Sequence, residues 1–133
     1  MKSVHFICRG NVYRSRLAEA YAMSLLEKKG LARVTSSGIE AERNLGGNVD
    51  PETVRLLELE NIQNYLTSGW HQTTQTNIDS NELIVFMSQT LYSQANELFS
   101  IPAQRVRIWD IRDIDGIYPD IKKKVTELIE TEL

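Results

Sequence analysis

The sequence predicts an α/β fold, a parallel sheet with helices on both faces. Three observations point there. Apolar stretches of strand length alternate with stretches of helical period in the order β-α-β-α-β-α-β-α. One strand-like stretch, residues 82 to 87 (ELIVFM), is almost continuously apolar, as a strand covered on both faces must be. The 133 residues, 41% apolar and 25% charged, suit one domain spanning 1–133 that buries its own core.

Val4, Phe6 and Ile7 give the first strand its apolar run, which stops at Cys8, the only cysteine. Residues 9 to 13 must curl, because Arg14 and Ser15 open a helix whose Leu17, Ala18, Ala20, Tyr21, Leu25 and Leu26 suit a packed face. Lys28 and Lys29 in its last turn and Gly30 as a C-cap close it. Residues 32 to 37 read as a short strand ending at Gly38. A long loop follows to residue 50, most flexible at Gly46-Gly47. Asp50-Pro51-Glu52 marks a helix start, with an N-cap, a proline at the first helical position and an acid in the first turn. Val54, Leu56, Leu57, Leu59 and Ile62 are its apolar positions.

Residues 63 to 81 are polar and poorly periodic, and no element is predicted there. Trp70 is read as a packed side chain and His71 as a surface one. After the 82–87 strand, residues 89 to 99 read as a helix, Pro102 ends the connection, and residues 105 to 109 (RVRIW) form the fourth strand. Residues 110 to 119 form a loop. The last helix runs over 120–133, with Ile121, Val125, Leu128 and Ile129 inward and Lys122, Lys123 and Lys124 as a solvated face.

A net charge of −3 argues against nucleic acid as a partner. One cysteine cannot form an internal disulfide, so a reducing compartment, the cytoplasm, is expected. The first strand begins at once, without the basic and apolar regions of a secretory leader, and no stretch is long and apolar enough to span a bilayer. No His/Cys/carboxylate cluster has metal-ligand spacing, so neither metal nor cofactor is expected.

The chemistry concentrates in residues 4 to 19, VHFICRGNVYRSRLAE. A thiol stands where a strand stops and a guanidinium where a helix starts. A loop that enters a helix N-terminus turns several backbone N–H groups towards one point and makes an anion site. The same positive field favours thiolate over thiol, so Cys8 is expected to be acidic and nucleophilic. Arg14 adds a planar fork suited to two oxygens of a phosphoryl group. Taken singly, a lone cysteine is most often a small buried hydrophobe, and an arginine at a helix start a solvated charge. Their joint spacing outweighs both readings. In an open α/β sheet the ligand binds outside the carboxyl ends of the strands. Cys8 follows the first strand and Asp110 to Asp115 follow the fourth, so the topology brings acidic residues towards the thiol.

Cys-x5-Arg-Ser in this setting resembles the low-molecular-weight protein tyrosine phosphatases. Cys8, Gly10, Asn11, Arg14 and Ser15 fall where that family's phosphate loop has them, and Ala18-Glu19-Ala20 also fits. The resemblance implies a doubly wound four-stranded sheet in the order 2-1-3-4. It implies hydrolysis of phosphomonoesters, above all protein phosphotyrosine, through a phosphocysteine on Cys8. Substrates would be a phosphorylated protein or a small aryl phosphate. Arg14 and the loop through Arg9, Gly10, Asn11, Val12, Tyr13 and Ser15 would hold the phosphoryl group. Asn11 would shape the loop with φ above zero, and Ser15 would hydrogen-bond the sulfur. The family's late Asp-Pro motif falls on Asp113-Ile114, which implies Asp113 as general acid, with Asp110 and Asp115 as rivals.

The chain departs from the family pattern at several points. Tyr13 stands where many members have a second cysteine, so a sulfenic acid on Cys8 would lack a local resolving thiol. Asp115-Gly116 replaces a tyrosine pair. Ser88 follows Met87 where an acid is common. Val12 replaces the threonine of related phosphoarginine phosphatases and leans towards aryl phosphate. Two other functions fit parts of the pattern. One is a phosphate- or phosphopeptide-binding module with little turnover. The other is an arsenate reductase, which with a single cysteine would need an external thiol.

Overall fold

The computed structural model describes residues 2–27, 32–44, 49–67 and 69–133. The expected alternation is there: β1 (Lys2–Cys8), α1 (Arg14–Leu26), β2 (Ala32–Gly38), α2 (Pro51–Leu59), α3 (Gln75–Asp79), β3 (Leu83–Phe86), α4 (Gln89–Leu98), β4 (Val106–Ile108) and α5 (Tyr118–Glu132). All strands pair in parallel, in the order β2-β1-β3-β4. The chain leaves β1 for β2 on one side and reaches β3 and β4 on the other. The crevice at the carboxyl end of β1 is therefore the topological switch point. Cys8, the last residue of β1, sits in register with Gly38, the last of β2.

β1 is buried on both faces beyond Lys2, and β3 along its whole length. Both central strands thus need cover above and below, which the helices provide. Phe6 of β1 lies against Trp109 with ring centroids 5.5 Å apart, tying the sheet centre to the segment after β4. α1 packs against α5, where Tyr21 meets Tyr118 edge-on. Asp50 caps α2 as predicted, its side chain accepting from the N–H of Glu52 at 3.0 Å.

The structure corrects several boundaries. α2 stops at Leu59 rather than Ile62, and α5 begins two residues earlier than the predicted start, at Tyr118. The polar stretch 63–81 is not without elements. It holds a 3-10 turn at Gln63–Tyr65 and the short helix α3. α3 has too few apolar residues for a periodic signal, but its start is written in Thr74 and Asn77, which form a reciprocal capping box. α1 is not a one-sided amphipathic helix. Its first turns are buried all round, Arg16 and Glu19 included, while Leu25 is exposed. Lys122 pairs with Glu60 and lies over the Tyr118 ring, so only Lys123 and Lys124 of that run stand in solvent. The predicted Gly30 cap and the Gly46-Gly47 turn lie outside the described residues.

Candidate functional site

Cys8 ends β1 and Arg14 begins α1, so the five residues between them must reverse direction inside one helical diameter. Asn11 makes the reversal with φ of 57°, a left-handed conformation that asparagine tolerates. Its amide then works in three directions. Nδ2 donates to Ser15 Oγ and to Ser36 Oγ, each at 2.9 Å, and Oδ1 accepts from the backbone N–H of His71 at 2.8 Å. The backbone N–H of Asn11 points at Cys8 Sγ, 3.2 Å away.

Ser15 Oγ lies 2.9 Å from Cys8 Sγ. That oxygen already accepts from Asn11, which leaves its own hydrogen for the sulfur. Cys8 is 3% exposed and is a free thiol. The sulfur therefore lies at the bottom of a loop that offers it two donors.

The loop is braced from outside as well. The carbonyl of Gly10 accepts from Asn44 Nδ2 at 2.8 Å, and Asn44 in turn accepts from Trp70 Nε1 at 2.9 Å. The carbonyl of Val12 accepts from Thr53 Oγ1 at 2.7 Å and from the N–H of Asp50 at 3.1 Å. Gly38 is required by proximity: a Cβ there would stand 2.6 Å from the carbonyl oxygen of Arg9 and 2.7 Å from the N–H of Asn11. Such a contact is impossible without moving the loop.

Behind the loop is a buried ion pair. Arg16 is fully buried, with Nε 3.5 Å from Glu19 Oε1. Its Nη1 donates to the carbonyls of Asn11 and Gly69, and its Nη2 to the carbonyl and hydroxyl of Thr67. Burial raises the Glu19 carboxyl above its ordinary range, against the lowering effects of Ser36 and Arg16. Ser36 Oγ donates to Glu19 at 2.8 Å, so Glu19, Ser36, Asn11, Ser15 and Cys8 form one connected chain.

A cleft of about 230 Å³ opens over the sulfur, with Val12, Tyr13, Arg14, Glu40 and Asp113 in its walls. Arg14 is 5% exposed and crosses from the loop to the segment after β4, where Nη1 donates to the carbonyl of Ile111 at 2.8 Å. Its Nε lies 3.7 Å from Asp113 Oδ1. Among the described residues no acceptor holds Nη2. Of the three aspartates in 110–115, Asp113 is the one in the cleft wall. Arg9 stands at the rim, half exposed, beside Glu40, which also pairs with Arg43.

The geometry thus brings Cys8, Arg14, Ser15 and Asp113 together from opposite ends of the chain. His71 contributes a backbone N–H and not its exposed side chain. Sequence reasoning missed Arg16, Ser36, Asn44 and Thr53. Only Ser36 had a signal, as part of Ser36-Ser37-Gly38 before the long loop. The others are ordinary polar residues whose partners lie up to 53 positions away. Among the described residues no group of three or more His, Cys, Asp or Glu side chains converges as a metal site. No described helix is long and apolar enough to cross a membrane.

Residues 3–130 match the model of the family described as low molecular weight phosphotyrosine protein phosphatase. No curated protein sequence matches the chain. Solved structures do. A low molecular weight protein tyrosine phosphatase from Bacillus subtilis superposes with a TM-score of 0.82 at 23% identity, covering 96% of this chain and 95% of that one. A cysteine-to-serine mutant of the YwlE arginine phosphatase, a Bacillus subtilis protein, with its active-site serine phosphorylated, gives 0.78 at 24% identity, over 96% of this chain and 90% of that one. Vibrio vulnificus Wzb in complex with benzylphosphonate gives 0.82 at 17% identity, over 97% of each chain. At these identities the likeness is one of fold.

Proposed function

Because the chain belongs to the low-molecular-weight phosphotyrosine protein phosphatase family, and so acts as a cysteine-dependent phosphatase on phosphorylated substrates, we propose that Cys8 is its nucleophile and protein phosphotyrosine its preferred substrate. The observation that carries this reading is the position of Cys8 Sγ. It lies at the base of the cleft, 2.9 Å from Ser15 Oγ and 3.2 Å from the Asn11 nitrogen, and Arg14 lines the same cleft.

The reaction has two steps. The Cys8 thiolate attacks phosphorus in line with the ester oxygen; the S–P bond forms as the P–O bond to the leaving group breaks. Asp113, protonated, gives its proton to that oxygen. Arg14 and the backbone N–H groups of residues 9 to 14 hold the three remaining oxygens, where charge has to be stabilised in the transition state. Asp113, now a carboxylate, takes a proton from water as the water oxygen attacks phosphorus. The S–P bond breaks, and inorganic phosphate leaves. Ser15 supports the sulfur both as nucleophile and as leaving group.

Val12 lines the cleft, and its apolar character suits the face of an aryl ring. The single cysteine, which can form no internal disulfide, favours a reducing compartment, the cytoplasm, as the place of action. Hydrolysis of p-nitrophenyl phosphate and of a phosphotyrosyl peptide tests the reading. Cys8→Ser is expected to lose at least about four orders of magnitude in kcat, and Asp113→Asn about two. A Cys8→Ser protein that turns over at the wild-type rate overturns it.

A further inference from the structure

Asp113 sits on a segment that is exposed from Arg112 to Gly116. Its reach into the cleft is therefore set by whatever grips that segment's backbone. Two consecutive residues of the Cys8 loop do so. Arg14 Nη1 donates to the carbonyl of Ile111 at 2.8 Å, and the Tyr13 phenol donates to the carbonyl of Ile114 at 3.3 Å. Asp113 lies between the two held carbonyls.

The two anchors are unequal. Ile111 is fixed three times over, by Arg14, by its own N–H donating to Met87 at 2.9 Å, and by its buried side chain. Ile114 is 46% exposed. Among the described residues the Tyr13 phenol is the one side chain that hydrogen-bonds it. Tyr13 itself is buried, and burial, with the charges of Asp115 and Glu52, holds its phenol above the ordinary range, so it remains a donor.

We propose that Tyr13 is a positioning residue for proton transfer: by holding the carbonyl of Ile114 it sets the distance from the Asp113 carboxyl to the leaving oxygen. The proposal rests on the reading of Asp113 as the general acid. It assigns a side chain to a task separate from the phosphate-binding work of the loop's backbone. The residue also differs from its neighbours in kind. Arg14 touches both the anion and the acid segment, so its loss damages everything at once. Tyr13→Phe removes one oxygen and keeps the ring that fills the space.

Proton delivery matters in proportion to the basicity of the leaving oxygen, and phosphorus attack does not depend on it in the same way. The measurement is kcat/KM for p-nitrophenyl phosphate, whose leaving group is stable as an anion, against phenyl phosphate, whose leaving group is not. Tyr13→Phe is expected to lose about tenfold on phenyl phosphate and less than about twofold on p-nitrophenyl phosphate. Inhibition by inorganic phosphate should stay at the wild-type level. Asp113→Asn should show the same selectivity, larger. The double variant should lose no more on phenyl phosphate than Asp113→Asn alone, because a positioning residue has nothing left to position.

Equal losses on both esters, or an additive double variant, overturn the role of Tyr13 while leaving Asp113 in place. A selective loss absent from Asp113→Asn itself overturns the acid assignment and this proposal with it. Loss of all turnover in Cys8→Ser is independent of both outcomes.

Discussion

Residues 8 to 15 bury every polar side chain they carry except Arg9, whereas residues 110 to 116, facing them across the cleft, bury only Ile111. The first segment exchanges hydrogen bonds with other parts of the chain, among them Ser36, Asn44, Thr53 and His71. The second is held by its backbone at two residues, Ile111 and Ile114. The difference fits the roles proposed for each. Stabilising a phosphoryl transition state requires dipoles fixed in advance, because any reorganisation during the reaction raises the barrier. A general acid needs one carboxyl at hydrogen-bond reach and access to water for the second step. An exposed carboxyl, 61% accessible at Asp113, keeps that access.

The sharpest way to break the contrast is to disturb the rigid side without touching chemistry. Gly38→Ala puts a methyl group into the backbone of residues 9 to 11, with contacts as short as 2.6 Å. We expect a loss of about 1–3 kcal/mol in stability, as for overpacking elsewhere, and about tenfold weaker inhibition by inorganic phosphate. Denaturant midpoints and inhibition constants measure both. A variant with unchanged phosphate affinity would mean that the loop is softer than its hydrogen bonds imply.

The second perturbation is smaller and depends on pH. His5 lies in β1 beneath the loop, with Nδ1 2.6 Å from Thr35 Oγ1 and Nε2 2.7 Å from Ser37 Oγ. Burial first, then the charges of His71 and Arg33, lower its pKa from 6.5 to about 3. The folded state thus keeps His5 neutral where the unfolded chain protonates it. Stability falls as pH drops below 6.5, and the loss from this group is complete near pH 3. From pH 6.5 to 5 the loss is about 2 kcal/mol. Glu19, raised by burial, works in the opposite sense, so the contribution of His5 is read as the difference between wild type and His5→Gln. The variant should show a flatter stability profile over that range; equal profiles would remove His5 as the cause.

The smallest effect is expected on the exposed side. Ile114→Ala trims a side chain but leaves the carbonyl that Tyr13 holds. Activity on p-nitrophenyl phosphate should change by less than about threefold. A larger drop would show that the Ile114 side chain, and not only its backbone, shapes the cleft.

The sequence was most legible where one local rule governs one element. The unbroken apolar run before Ser88 marked a doubly covered strand, and Asp50-Pro51 marked a helix start. The loop from Cys8 to Ser15 was legible for the same reason: strand end, turn and helix start are all local, and they force the thiol, the guanidinium and Asn11 into one place. What surrounds that loop was not legible. Arg16 looks like a surface residue on a helix, yet tertiary packing takes it wholly inside because Thr67 and Gly69, far along the chain, supply acceptors. α3 was invisible to periodicity because five residues make little more than one turn. Asp113 was placed by family resemblance alone; nothing in the local pattern separated it from Asp110 and Asp115, and only the fold brings it to the cleft wall.

The Arg16–Glu19 pair carries an evolutionary corollary. Arg16 is fully buried and Glu19 nearly so, so replacing one leaves its partner's charge poorly solvated, while replacing both with apolar groups of similar bulk removes the problem together with its remedy. The pair is thus a ratchet: single steps away from it pass through a damaged protein. Drift at positions 16 and 19 has to be concerted, even though neither side chain meets the substrate.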